Sequence, residues 1–268
     1  MKIGIVRKSI NSEAADAVNR FTAELKSRNY PYTVFASNEE IDGVDVLIVF
    51  GGDGAILHAA TIAAQKNVKI IGVNYGTLGF LTEYERGGEQ GVFELLEELD
   101  KNECRILKRG LLKITFKGET YYALNEAAIQ RHFDENALNE TQILSLEVQV
   151  GDGKDVISGD GVLVSTPTGS TAYSLSAGGA ILMPEVPAVL LTPVCAFSMS
   201  KRPMVFSDSE TFEICSLKGK ALVMIDGRPI GAMNASESIR IEKADFSAEF
   251  PVRRNSDFFA KIKNKLNK

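Results

Sequence analysis

Histidine is scarce in this chain. Only His58 and His132 occur among 268 residues, which argues against a histidine-rich metal site and leaves few candidates for a histidine-based nucleophilic triad. Cysteine is nearly as rare. Cys104, Cys195 and Cys215 are odd in number and far apart, with neither ligand spacing nor a disulfide framework, so a reducing cytoplasm is the expected location. Long apolar runs are missing too. The N-terminal Met1-Lys2-Ile3-Gly4-Ile5-Val6-Arg7-Lys8 is too short in its apolar part for a signal peptide, and no other stretch spans a bilayer, so no membrane partner is expected. Basic residues are in deficit. Thirty Lys and Arg against 35 Asp and Glu give a net charge of -5 and a pI near 5.3, which speaks against nucleic acid as a partner. Phosphates remain open, because a loop of backbone amides binds them without a basic surface.

What is present suits a soluble globular protein. With 44% hydrophobic and 24% charged residues, the chain can bury a full core in one large domain or two modest ones. Its first hundred residues alternate strand and helix. Residues 3–6 read as a strand, and Ala15, Val18, Phe21 and Leu25 recur at helical spacing behind the possible caps Asn11 and Ser12. Strands follow at 32–35, 44–50 and 69–73, with a helix over 54–66 and another carrying Val92, Leu95, Leu96 and Leu99. That order predicts a parallel sheet, whose ligands sit beyond the carboxyl ends of the strands. Two loops fall there and are expected to share one crevice: Gly51-Gly52-Asp53-Gly54 and Asn74-Tyr75-Gly76-Thr77-Leu78-Gly79-Phe80.

The first of these loops organises the chain. It is a strand-to-helix turn whose glycines admit a ligand close to the backbone, and free amides at the start of the next helix suit a phosphate. Asp53 is a poor phosphate ligand, since like charges repel. Its work is then to take a proton from a hydroxyl nucleophile or to hold a cation, although a tight turn with a polar cap would also account for it.

Beyond Cys104 the period changes from helical to alternating. Residues 112–116, 121–124, 144–150, 162–164, 212–214, 221–225 and 239–241 read as strands, with turns at Gly118-Glu119 and at Gly151-Asp152-Gly153. This half is expected to be an antiparallel sheet or sandwich with one short helix near 170–176. The polar, aperiodic 133–140 reads as a surface loop. The basic amphipathic end, with Phe258, Phe259, Ile262 and Leu266, reads as a helix docked on its own protein. The expected division is 1–104 as an α/β nucleotide-binding domain, 105–250 as a β-rich domain, and 251–268 as a segment returning to the first.

A second stretch carries chemistry. Gly159-Asp160-Gly161 leads through Val162-Leu163-Val164 into Ser165-Thr166-Pro167-Thr168-Gly169-Ser170-Thr171-Ala172-Tyr173-Ser174-Leu175-Ser176-Ala177-Gly178-Gly179. This is a strand, a hydroxyl-rich turn and a helix start capped by Ser170 or Thr171. Its hydroxyls and amides suit a polyol or phosphate, and Tyr173 offers a face for an aromatic base. A well-capped helix with a core tyrosine is the plainer alternative.

Together with Asn125-Glu126, these blocks make the chain resemble the NAD kinase family over nearly its whole length. The glycine loop is shared in kind with phosphofructokinases and diacylglycerol-type lipid kinases, whereas the 160–179 run is highly specific. The resemblance implies phosphorylation of the adenosine ribose 2′-hydroxyl of NAD to give NADP. The donor would be a nucleoside triphosphate such as ATP, and the cofactor a divalent metal, Mg²⁺, bound with the nucleotide. It also implies a homodimer or homotetramer, and an active site between the two domains.

Carried over by motif, Asp53 is the general base, with Gly52 and Gly54 beside it on the nucleotide. Asn125 and Glu126 match the pair that contacts the adenosine half of NAD. Asp160, Thr168, Thr171, Ala172, Tyr173 and Ser176 match positions lining the dinucleotide, and His58 matches a ligand-facing position of variable residue type. Three places depart from the common bacterial pattern. Ser158 stands in the ligand-facing position before Gly-Asp-Gly where a basic residue is frequent. Cys195-Ala196-Phe197-Ser198 replaces Cys-Pro-His-Ser, although Arg202-Pro203 is kept. Arg228 replaces a frequent glutamine after Asp226-Gly227. A guanidinium suits a phosphate of NADP, while an ordinary surface arginine on a hairpin turn is the alternative. Two rivals remain: a diacylglycerol-type lipid kinase, and a non-catalytic dinucleotide sensor, against which the retained Asp53 speaks.

Overall fold

The computed structural model describes residues 1–7, 12–76, 79–132 and 143–266. The expected 133–140 loop, the possible cap Asn11 and the pair Thr77-Leu78 lie outside the described residues. The chain divides into two compact units, one of residues 1–109 and 246–268, the other of residues 110–245.

The first unit holds a parallel sheet built from β1 (Ile3–Arg7), β2 (Tyr32–Phe35), β3 (Val46–Gly51), β4 (Lys69–Asn74) and the short β5 (Tyr84–Glu85), in the order β2-β1-β3-β4-β5. The helices are α1 (Ser12–Ser27), α2 (Asp53–Gln65), α3 (Glu89–Asp100) and the C-terminal α5 (Phe258–Leu266). Apolar side chains of β1, β3 and β4 meet one face each of α1 and α3: Ile5, Ile48, Val73, Phe21 and Leu96 belong to one core. Burial of that sort, near 25 cal/mol per Å² of apolar surface, outweighs local propensity. Gly72 lets α2 lie against β4, since a Cβ there would fall 2.3 Å from the Ile56 side chain.

The C-terminal segment is anchored through Glu83, which is buried. Its carboxylate accepts hydrogen bonds from the Arg253 backbone N–H and Nε, both at 3.1 Å, from Ser256 Oγ at 3.0 Å and from Lys261 Nζ at 2.8 Å. Burial pushes this carboxyl up, but Lys261 and Arg253 outweigh it and hold it below its ordinary value. The expected return of the C-terminal segment to the α/β fold is therefore observed.

The second unit is a sandwich of two six-stranded sheets. One has the order β10-β9-β14-β17-β6-β7, from β10 (Gly153–Gly159), β9 (Leu144–Val150), β14 (Phe212–Lys218), β17 (Ser238–Val252), β6 (Arg105–Phe116) and β7 (Glu119–Ala123). The other has the order β13-β12-β11-β8-β15-β16, from β13 (Met204–Ser207), β12 (Ala188–Val194), β11 (Gly161–Ser165), β8 (Glu126–Arg131), β15 (Ala221–Ile225) and β16 (Arg228–Met233). Ile114, Leu146 and Ile214 from the first meet Ile129, Val164 and Val223 from the second in a single core, as the alternation predicts.

Several elements differ from expectation. The β6–β7 hairpin turns at Lys117-Gly118, both at positive φ, as a two-residue turn matching strand twist requires. Strands β8, β10, β12, β13 and β16 were not expected. Strand β17 runs far beyond 239–241 because its buried positions change from odd (Ile239, Ile241) to even (Ala244, Ala248, Phe250), and the parity switch hides one long strand. The hydroxyl-rich turn is not one capped helix but a 3-10 turn, Gly169–Thr171, followed by the single-turn α4 (Tyr173–Ser176), whose start at Ala172 has no side-chain cap. Its hydroxyls are spent on closing the loop: Ser170 Oγ donates to the Pro167 carbonyl at 2.6 Å and accepts from the Leu182 N–H at 3.0 Å. No helix among the described residues is long and apolar enough to cross a membrane.

Candidate active site

In the first unit the site is built where β3 runs into α2. Gly52 is the residue before the helix, in extended conformation, and Asp53 is its first residue. The loop after β4 comes back against this turn. The Tyr75 N–H donates to the Gly51 carbonyl at 3.2 Å, and a Cβ at Gly76 would lie 3.2 Å from the Gly52 Cα. The two loops therefore do share one place. Asp53 is held by the second of them: its Oδ2 accepts the Phe80 N–H at 2.6 Å and its Oδ1 the Leu81 N–H at 3.0 Å. Gly79 makes this approach possible, since a Cβ there would stand 2.3 Å from Asp53 Oδ1. Gly54 has open space where a side chain would project. So the carboxylate has a fixed orientation beside a helix start whose first amides lack intrahelical acceptors. Each of its oxygens keeps lone-pair capacity for a hydroxyl.

His58 lies further along α2, with Nε2 3.7 Å from Glu39 Oε1 on the 3-10 turn Asn38–Glu40. Its ring is thus engaged with that turn.

In the second unit, Asn125 and Glu126 sit where β8 begins, and three interactions lock them to the turn after β11. The Thr166 N–H donates to the Asn125 carbonyl at 2.8 Å, and Thr166 Oγ1 donates to the Leu124 carbonyl at 2.5 Å. Gly169 packs directly on Asn125, where a Cβ would lie 2.2 Å from its carbonyl oxygen. This puts Thr168, Thr171, Ala172 and Tyr173 beside the Asn-Glu pair. Thr171 Oγ1 donates to the Thr168 carbonyl at 3.2 Å, Thr168 is buried, and Ser176 is exposed at the end of α4.

Asp226, which is not among the expected site residues, supports the pair from beneath. It occupies the β15–β16 hairpin with φ of 47°, followed by Gly227 at 78°, as an Asp-Gly hairpin turn favours. Its carboxylate accepts the N–H groups of Leu124 at 2.8 Å, Asn125 at 2.8 Å and Glu126 at 3.0 Å. Burial pushes the Asp226 carboxyl up, against the pull of those amides and of nearby Arg228. Glu126 is driven further. Burial, then the Asp226 charge, push it up to about 8 against the Tyr173 backbone N–H. Glu126 Oε2 is buried without a hydrogen-bond partner, so at neutral pH the group is a neutral acid that can donate to a ligand.

Asp160 lies just before the other end of β11, roughly 16 Å from Ser165 at the strand rise per residue. It pairs with Arg131 at 3.0 Å. Tyr173 bridges the distance, its hydroxyl accepting from Gln130 Nε2. The result is an elongated wall: Asn125, Glu126 and the 168–173 turn at one end, Asp160 at the other, Tyr173 along it. Arg228 is exposed beside Asp226. Ser158 lies on β10. Its neighbour Ile157 points into the sandwich core, and Ser158 Oγ is bonded to Ser145 Oγ at 2.8 Å on β9.

The chain's relatives agree with this architecture. The ATP-NAD kinase N-terminal domain matches residues 4–104 and the ATP-NAD kinase C-terminal domain residues 124–252. The NAD kinase of Methanothermobacter thermautotrophicus is 34% identical, with 99% of this chain and 96% of the relative covered. That of Heliobacterium modesticaldum is 30% identical, covering 98% of each. Among solved structures, an NAD kinase from Archaeoglobus fulgidus in complex with ATP superimposes with a TM-score of 0.77 at 25% identity, over all of this chain and 98% of that one. A yeast NADH kinase complexed with NADH shares the fold, with a TM-score of 0.86 at 23% identity over all of this chain and 87% of the other. With both domain models matched in order and full-length relatives at this identity, the chain belongs to the NAD kinase family.

Proposed function

We propose that the protein transfers the terminal phosphoryl group of a nucleoside triphosphate, ATP in the first instance, to the 2′-hydroxyl of the adenosine ribose of NAD, giving NADP. Asp53 is the general base in this reading. The observation that carries it is the fixed carboxylate: two backbone amides orient it, the helix start beside it suits phosphate, and Gly54 leaves room above. A ribose hydroxyl is barely ionised near neutral pH. Phosphoryl transfer passes through a loose transition state, so a carboxylate that accepts the proton late, as the new O–P bond forms, meets the requirement.

The wall of the second unit holds the dinucleotide. Asn125 meets an adenine edge by donating and accepting, neutral Glu126 donates to a hydroxyl or ring nitrogen, and Tyr173 offers its ring to a base. Asp160 accepts from ribose hydroxyls, and Thr171, Ala172 and Ser176 complete the lining. Arg228 meets a phosphate of product NADP. Among the described residues no group of three or more His, Cys, Asp or Glu side chains forms a cage for a metal. A Mg²⁺ ion would in this reading be carried chiefly by the donor's phosphates, where it would neutralise charge on the transferring group. The functional unit in this reading is a homodimer or homotetramer.

The test is a donor and acceptor panel with purified protein. NADP formed from NAD and ATP, with the phosphate on the 2′ carbon by ³¹P NMR, supports the assignment. Transfer to diacylglycerol micelles but not to NAD overturns it.

A further inference from the structure

Lys265, on the last turn of α5, is a buried charge that the fold of the first unit does not explain. Its ammonium nitrogen is buried with no hydrogen-bond partner and lies over the face of the Phe80 ring, 4.1 Å from the centroid. The ammonium borders a cavity of about 460 Å³ that is also lined by Gly79, Glu85, Arg86, Arg253 and Lys261. Cations outnumber carboxylates on this lining by four to two, Glu83 being the second acid. Both carboxylates are committed, Glu83 to Arg253 and Lys261 and Glu85 to Asn74 Nδ2 at 2.8 Å. Arg86 is paired with Glu13 at 2.5 Å. Lys265 alone has no hydrogen-bonded anion, and the Asp53 and Glu85 charges act on it only through space. A buried cation of this kind is costly, and the cost is removed when a ligand supplies the anion.

The position of the cavity says which anion. Phe80 links it to the base, because the ring that carries Lys265 belongs to the residue whose N–H holds Asp53 Oδ2. Gly79 both lines the cavity and abuts Asp53 Oδ1. An anion here lies beside the reacting centre without displacing the carboxylate. We propose that the cavity is a subsite for the polyphosphate chain of the phosphoryl donor, with Lys265 pairing one of its phosphates. This extends the kinase reading and rests on it for the identity of the ligand. Burial also pulls the Lys265 ammonium down to about 8, a tendency that a bound phosphate reverses.

The experiment measures binding on the full-length protein by calorimetry, with inorganic tripolyphosphate and with ATP as separate probes, so that it does not depend on turnover. Lys265→Met is compared with wild type, with Lys265→Gln as a second neutral variant and with Lys263→Met, an exposed lysine on the same helix, as control. Loss of a charge-assisted contact weakens at least one probe by about tenfold or more, leaves NAD affinity unchanged, and leaves the ligand-free melting temperature at or above wild type, because an unpaired buried charge has gone. Weakening of both probes identifies the phosphate chain itself as the determinant. Weakening of ATP alone identifies a nucleoside-carried chain. Lys263→Met binds as wild type. If both neutral variants bind both probes as tightly as wild type, the subsite is refuted. If wild type binds polyphosphate through Lys265 but forms no NADP from NAD and ATP, the kinase reading fails while the anion site stands.

Discussion

Glu126→Gln removes a titrating proton from the centre of the second unit while keeping the side chain's size. Burial and the Asp226 charge push the carboxyl from 4.5 up to about 8, so between those values the folded protein holds a proton that the unfolded chain has released. Stability from this group is fully present below pH 4.5, falls as pH rises, and is lost by about pH 8. At about 1.4 kcal/mol for each pH unit crossed, the loss over the window is roughly 3 to 5 kcal/mol, with coupling to Asp226 spreading the transition. Glutamine has no such titration. In urea unfolding measured from pH 4.5 to 8.5, the stability of Glu126→Gln relative to wild type should therefore rise by that amount. Its amide can still donate to a ligand, so NAD affinity near pH 7 should stay within about threefold of wild type. Parallel stability curves for the two proteins would refute the assignment of a neutral, buried Glu126.

Three further outcomes follow from the same geometry. Gly169→Ala places a methyl group 2.2 Å from the Asn125 carbonyl oxygen, so backbone must move, and a loss of about 2 kcal/mol or more in denaturant unfolding is expected together with weaker NAD binding. Glu83→Gln unpairs Arg253 and Lys261, which keep some access to solvent, so the cost is about 2 kcal/mol rather than that of a fully buried pair. It should also release the segment after Val252 to limited proteolysis; because the Glu83 carboxyl lies below its ordinary value, wild type loses this contribution as pH falls from 4.5 through the folded value. Arg228→Ala should weaken inhibition by NADP about tenfold with NAD binding little changed, and equal inhibition in both proteins would count against a phosphate contact.

Much of the fold was legible because burial writes a period into the chain. The parallel sheet could be read from 3–6, 44–50 and 69–73, each bounded by a helix at 3.6-residue spacing. What escaped had a physical reason in each case. Strand β8 is Glu-Ala-Ala-Ile-Gln-Arg, short on β-branched residues, and is held by burial between β11 and β15. Strand β12 contains Pro193, tolerated because β13 pairs only with residues 188–191 and leaves the proline's side without a partner strand.

The site was legible in its residue types but not in its supports. Asp53 and the Asn125-Glu126 pair stand out in the chain, whereas the amides of Phe80, Leu81 and Leu124 carry no sequence signal at all. Asp226 could have been found: Asp-Gly between 221–225 and the apolar Ile230 is a hairpin signature. Ser158 and His58 rest on family position alone, and their local partners Ser145 and Glu39 lie too far along the chain for spacing to show. Lys265 is, by its spacing, one of several lysines on an amphipathic helix, and nothing in that spacing marks Lys261 and Lys265 as the ones that turn inward.

The account depends most on Asp53 as the proton acceptor. Asp53→Asn keeps the side chain's shape and removes its basicity, so NAD binding by calorimetry should remain within about threefold of wild type while the rate of NADP formation falls by about 10² to 10⁴. Turnover within tenfold of wild type, with binding intact, would contradict it.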